Sequence, residues 1–145
     1  MIGRDTLLSL VPHAGAMCLL EEVESWSRTA IVCVATRHGD PRHPLRHGDR
    51  LSAIHLIEYG AQAMAVHGGL LARDAGRAPP SGLLVSARNV VLHAERLDDI
   101  TEKLLVTATA LAVDPRGWTY AFEVRTQARV LAGGRLAVLL DGASP

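Results

Sequence analysis

The pattern of apolar and polar positions divides the chain into six strand-like runs and one long helical run. CLLEEVESW (18–26) and RTAIVCVATR (28–37) read as two strands joined by a compact SWSR turn. In the second, Ile31 and Cys33 alternate with Val32 and Val34, so both faces are expected to be covered. Ahead of them, MIGRDTLLSLVPHAGAM reads as a short helical or irregular start, capped by Asp5 and ending near Pro12. HGDPRHPLRHGDRLS (38–52) is rich in turn-forming and basic residues and reads as a loop. Loops of this length are often functional.

A helix follows from about Ser52 to Ala75. Ser52 or Asp49 is placed to cap its first amides, and Gly76 stands where a left-handed residue ends a helix. Pro79-Pro80 prevents continuation. Gly60, Ala61, Ala63, Ala65, Gly68 and Gly69 give this helix a slim profile. An interior glycine costs about 1 kcal/mol relative to alanine, so close approach to a neighbouring element is expected to offset it. A helix this apolar nearly all round is a buried one.

GLLVSARNVVLHA (82–94) and EKLLVTATALAV (102–113) then read as strands. DPRG (114–117) has the residue preferences of a type I turn. WTYAFEVRTQARVLA (118–132) reads as one strand with Tyr120, Phe122 and Val124 on a common face. Gly133-Gly134 reads as a tight hairpin into RLAVLL (135–140). One helix cannot cover both faces of such a sheet. The economical architecture is an α+β single domain, 1–145, with an antiparallel sheet in meander order curled around the helix. The uncovered sheet surface invites a second copy.

Charge and composition narrow the function. Fifteen basic and fifteen acidic residues cancel, without a dense basic run, and aromatics are only 3%. This argues against a nucleic-acid partner or an anionic membrane surface. No run reaches the length of a membrane span and no secretory leader is seen, so a cytoplasmic protein is expected. Cys18 and Cys33 read as buried free thiols. His38, His43 and His47 share one loop, but that spacing does not make a metal site.

IHLIEYGAQAM (54–64) places a carboxylate, Glu58, inside an apolar helical run, with Gln62 one turn on and His55 three positions before. A carboxyl in apolar surroundings holds its proton more tightly, and an imidazole nearby supplies a complementary proton site. His43, in the loop ahead of the helix, is one candidate imidazole. His47 and His13, the latter in PHAGAM, are alternatives for the same role. Gln62 is placed either to hydrogen-bond Glu58 or to bond neighbouring backbone.

LVPHAGAMCLLEEV, LIEYGAQAM and the strand spacing from Gly82 to Leu140 resemble the hotdog-fold 3-hydroxyacyl-[acyl-carrier-protein] dehydratases. The E-x-x-A-Q core of the helix carries the likeness most specifically. HPLRHGDRLSAIHLIEYGAQAMAVHG is similar to the divergent dehydratase-like branch of aryl-polyene and polyketide-type gene clusters. The chain departs from the family pattern at two points. His43 lies one position off the usual separation from the helix acid and lacks the following glycine, and Leu51-Ser52-Ala53 replaces a Pro-Gly before the helix.

The resemblance implies a cofactor-free lyase that removes water from 3-hydroxyacyl thioesters on acyl carrier protein or coenzyme A. In this reading Glu58 acts on the hydroxyl and His43 of a second copy acts on C2. Gln62 and His13 contact substrate, and amides near Ser52 and Ala53 hold the oxyanion at the helix start. A homodimer or higher homo-oligomer follows. Arg37, Arg42, Arg46, Arg50 and Arg88 offer a landing patch for an acidic carrier. Rival readings are a hotdog thioesterase and a non-catalytic acyl-binding or assembly subunit.

Overall fold

The computed structural model describes residues 1–10, 17–78 and 82–141. The elements run α1 (Arg4–Leu10), β1 (Glu22–Trp26), β2 (Ala30–Ala35), a 3₁₀ turn (Ala53–His55) leading into α2 (Leu56–Asp74), β3 (Gly82–Leu92), β4 (Leu104–Val113), β5 (Gly117–Arg125) and β6 (Val130–Leu140). The strands form one antiparallel sheet ordered β1-β2-β4-β5-β6-β3. The sheet packs around α2, which gives the expected hotdog architecture.

Strand periodicity sets the core. Leu104, Val106 and Ala108 of β4 and Tyr120, Phe122 and Val124 of β5 are buried at alternate positions facing the helix. On α2, Gly60 and Gly68 form the contact line. Eight residues of helix rise about 12 Å, and four residues of strand span about 13 Å. Gly60 therefore meets Phe122 while Gly68 meets Trp118. A Cβ on Gly60 would lie 2.7 Å from the Phe122 ring, and one on Gly68 would overlap the Trp118 ring. The cost of interior glycine is offset by this close approach.

The helix ends are as expected. The Ser52 hydroxyl accepts from the Ile54 amide (3.3 Å), and Gly76 adopts φ +70° while Arg77 N–H donates back to the Ala72 carbonyl (2.8 Å). Asp114 Oδ1 accepts from the Arg116 and Gly117 amides at 2.7 and 3.1 Å, fixing the β4–β5 turn. Cys18 and Cys33 are buried and free. Among the described residues no helix is long and apolar enough to cross a membrane.

Two expectations are corrected. The last hairpin turns at Thr126–Arg129, where Thr126 Oγ1 accepts from the Ala128 and Arg129 amides at 3.2 Å each. Gly133 and Gly134 lie inside β6, opposite Glu123 and Phe122. A Cβ on Gly134 would sit 3.1 Å from the Phe122 ring, so that glycine makes room for an aromatic rather than a turn. The late strands also depart from a simple meander. β3 is placed at the far edge beside β6, and the chain crosses back to pair β4 with β2.

His67 of α2, fully buried, ties three elements together. Its Nε2–H donates to the Ser27 carbonyl (2.7 Å) in the β1–β2 turn, so Nδ1 accepts from the Tyr120 hydroxyl (2.5 Å).

Candidate functional site

The loop from Thr36 to Ser52 has no regular secondary structure but is tied throughout. Asp40 caps its own turn by accepting from the Arg42 amide (2.8 Å), and the Arg46 guanidinium donates to the carbonyls of Gly39, Asp40 and Asp49. His38 Nε2–H donates to the Ile100 carbonyl (2.9 Å). At the loop's end the Leu51 amide donates to Asp98 Oδ1 (2.8 Å), and the Ala53 amide to the Glu95 carbonyl (3.0 Å). Asp98 is held by the Arg96 guanidinium, which keeps its carboxyl well below the usual range. These bonds fix where α2 begins.

His43 is 7% exposed. Its Nδ1 accepts from the Leu45 amide (3.1 Å), so the ring proton sits on Nε2 and is donated to the Tyr59 hydroxyl at 2.9 Å. Burial, followed by the fields of His55, Arg37, His38 and Arg46, pushes its pKa down to about 4. The imidazole is neutral near pH 7, and both of its nitrogens are committed. Tyr59 is itself buried, and that burial raises its phenol above the ordinary range.

Glu58 precedes Tyr59 on α2 and is half-buried, less enclosed than the sequence implied. Its carboxylate accepts from Gln62 Nε2 at 3.2 Å. The same amide group donates to the Met17 carbonyl (2.6 Å), while Gln62 Oε1 accepts from the Leu19 amide (2.8 Å). Gln62 therefore has both expected roles: it orients the acid, and it clamps the segment leading to β1.

Arg4, Leu19, Arg37, Asp40, Arg42, His43 and Pro44 line a cleft of about 350 Å³. Two of its walls connect to α2 on either side of the acid, Leu19 through Gln62 and His43 through Tyr59. Glu58, His43 and Gln62 are thus brought to one region, although the nitrogens of His43 bond Leu45 and Tyr59 rather than the acid. His47 is exposed and His55 half-buried. His13 lies outside the described residues. The Ala53 amide, expected to face an oxyanion, is spent on the Glu95 carbonyl, and the Ser52 hydroxyl accepts from the Ile54 amide at the 3₁₀ turn.

The sequence reading passed over Tyr59. The available signal was a tyrosine on the buried side of a helix, because a buried hydroxyl needs a partner.

Three imidazoles, His38, His43 and His67, are 2%, 7% and 0% exposed, and burial lowers the pKa of each. The unfolded chain takes up these protons below about pH 6.5, whereas folded His43 resists until about pH 4. Stability should be full above pH 6.5 and fall as pH drops toward 4, by up to about 1.4 kcal/mol per pH unit for each proton. Urea unfolding between pH 8 and 4 checks this. A midpoint that stays constant below pH 6.5 would contradict the burial of neutral rings.

Comparisons with known proteins bear on the family and the fold. The family described as ApeP-like, ApeP dehydratase, matches residues 6–142. No curated protein sequence matches the chain. Among solved structures, the dehydratase heterocomplex ApeI:P from Xenorhabdus doucetiae is similar at TM-score 0.85 and 25% identity, over 94% of this chain and 91% of that one. A hypothetical thioesterase with coenzyme A from Streptococcus pneumoniae TIGR4 is similar at TM-score 0.61 and 10% identity, over 86% and 88%. The PaaI protein of the E. coli phenylacetic acid degradation operon is similar at TM-score 0.59 and 14% identity, over 81% and 80%. These last two share the fold alone.

Proposed function

This chain belongs to the ApeP-like dehydratase family, and we propose that it removes water from 3-hydroxyacyl thioesters on acyl carrier protein to give trans-2-enoyl thioesters in polyene-type biosynthesis. The observation that carries this reading is Glu58, a half-buried carboxylate aimed by Gln62 on the central helix. Dehydration needs a base for the C2 proton, an acid for the departing hydroxyl and a donor for the thioester oxygen. Glu58 delivers the proton to the hydroxyl.

The base comes from a second hotdog protomer. In an identical copy it is His43, whose Nδ1 becomes a base once the Leu45 amide lets go. The first support is that β3 forms the open edge of the sheet, with β6 its only neighbour among the described residues. Leu84, Val85, Val91 and Leu92 of β3 stand exposed. Exposed apolar residues on an eleven-residue edge strand are a template for another chain. The other edge is partly covered, since Ile2 bridges Val23 of β1. The second support is that the similar ApeI:P structure is itself a dehydratase heterocomplex. Two buried free thiols fit a reducing cytoplasm as the place of this work.

Mass spectrometry of 3-hydroxyacyl carrier protein incubated with the chain, alone and with a second hotdog protomer, tests the reading. Loss of one water from the acyl group is expected. Release of free thiol without enoyl product would indicate a thioesterase. Unchanged substrate in both incubations, with measurable acyl binding, would leave an assembly subunit.

A further inference from the structure

His43 is fixed through its backbone and through both ring nitrogens. Its amide donates to the Asp40 carbonyl (3.0 Å), and its carbonyl accepts from the Arg46 amide (3.1 Å). Nδ1 accepts from the Leu45 amide, and Nε2–H donates to the Tyr59 hydroxyl. The first three bonds hold the residue to its own loop. The fourth reaches another element, because Tyr59 belongs to α2.

Tyr59 makes a firm anchor. It is buried in the hydrophobic core. The next residue, Gly60, lies so close to the Phe122 ring that this turn of α2 is seated directly on the sheet. The imidazole and phenol rings are nearly parallel, 23° apart, with centroids separated by 6.1 Å. Burial raises the phenol's pKa, so the hydroxyl stays neutral. Among the described residues, His43 is its only hydrogen-bonding partner.

Charge gives this bond a use. A base that takes a C2 proton on Nδ1 becomes an imidazolium, and both ring nitrogens then donate. Burial, followed by the fields of His55, Arg37, His38 and Arg46, opposes that charge. None of the hydrogen bonds to His43 among the described residues comes from a carboxylate. The Tyr59 oxygen is already in place at Nε2, and a hydrogen bond strengthens when its donor becomes charged.

We propose that Tyr59 is the positioning residue of the dehydration: its hydroxyl holds Nε2–H of His43, leaves Nδ1 as the one basic nitrogen, and steadies the imidazolium that forms. The role rests on the dehydratase reading; the bond does not. In the step it serves, the C2–H bond breaks and its proton bonds Nδ1. The electron pair left on C2 forms the C2–C3 double bond as the hydroxyl departs with the proton of Glu58.

Tyr59→Phe removes the hydroxyl and keeps the ring. The kcat for water loss from a 3-hydroxyacyl thioester is expected to fall about 10–100-fold, the worth of a hydrogen bond to a charged group, with KM within a few-fold of wild type. In a His43→Ala background the same substitution should cost less than about twofold, because its effect passes through the missing ring. A residue that only supported the fold would slow both backgrounds alike. Proton–nitrogen NMR of the substrate-free, histidine-labelled protein reads the bond directly. Wild type should show an exchange-protected Nε2–H of His43, and Tyr59→Phe should lose that signal or shift it upfield. A kcat within about threefold of wild type in Tyr59→Phe, an equal loss in both backgrounds, or an unmoved Nε2–H signal would overturn the proposal. Absence of water loss with wild type, with that signal in place, would instead overturn the dehydratase reading and the catalytic use of the bond with it.

Discussion

Glu58→Gln should lower the rate of water loss from a 3-hydroxyacyl thioester by about 10²–10⁴-fold while leaving the protein folded, the usual contribution of a positioned acid or base. The substitution keeps the shape of the side chain. A glutamine oxygen still accepts from Gln62 Nε2, so the clamp on Met17 and Leu19 survives. What disappears is the ability to give and regain a proton. Single-turnover mass spectrometry separates this from weakened binding, because the loss should appear in the chemical step with substrate affinity within a few-fold of wild type. Thermal unfolding should be nearly unchanged. Activity within threefold of wild type would remove Glu58 from the mechanism.

The Glu58–Gln62 pair of the candidate site was legible because its residues are local. Glu58 and Gln62 lie one turn apart on a single helix, so their mutual bond follows from helical geometry. Ser52 and Gly76 marked the helix ends because each satisfies a terminal demand by its own chemistry. Other features were set by partners distant in the chain. The Ala53 amide was available on paper, and only the fold brings the carbonyl of Glu95 to it. His43 is locked as a donor by a neighbour two residues on and a hydroxyl sixteen residues on, a pairing that needs the loop's full path. The last hairpin was misplaced for a physical reason. Glycine signals either a turn or a tight approach, and Gly134 serves Phe122, whereas the real turn relies on the hydroxyl of Thr126. The place of β3 at the far edge is a matter of strand order, which no local pattern encodes.

Gly68→Ala should destabilise the protein by about 1–2 kcal/mol, against the direction of helix propensity. Alanine inside a helix is favoured over glycine by about 1 kcal/mol, so a neutral site would gain stability. Here the new methyl would overlap the outer atoms of the Trp118 ring. The ring is partly buried against the core and tilted against Tyr120 at a centroid distance of 6.2 Å, which limits its retreat on that side. Tyr120 in turn is held by the buried His67. Overpacking of this kind costs about 1–3 kcal/mol and occasionally more, which must exceed the propensity gain for a net loss to appear. Urea unfolding measures it, and the companion variant Trp118→Leu decides its cause. Trp118→Leu alone should also destabilise by loss of buried aromatic surface. In the Gly68→Ala/Trp118→Leu pair the alanine should become neutral or stabilising, giving a coupling of about 1–2 kcal/mol or more in the double-mutant cycle. Additive losses would mean that the glycine is not there to admit the ring. The helix would then owe its place on the sheet to some other contact.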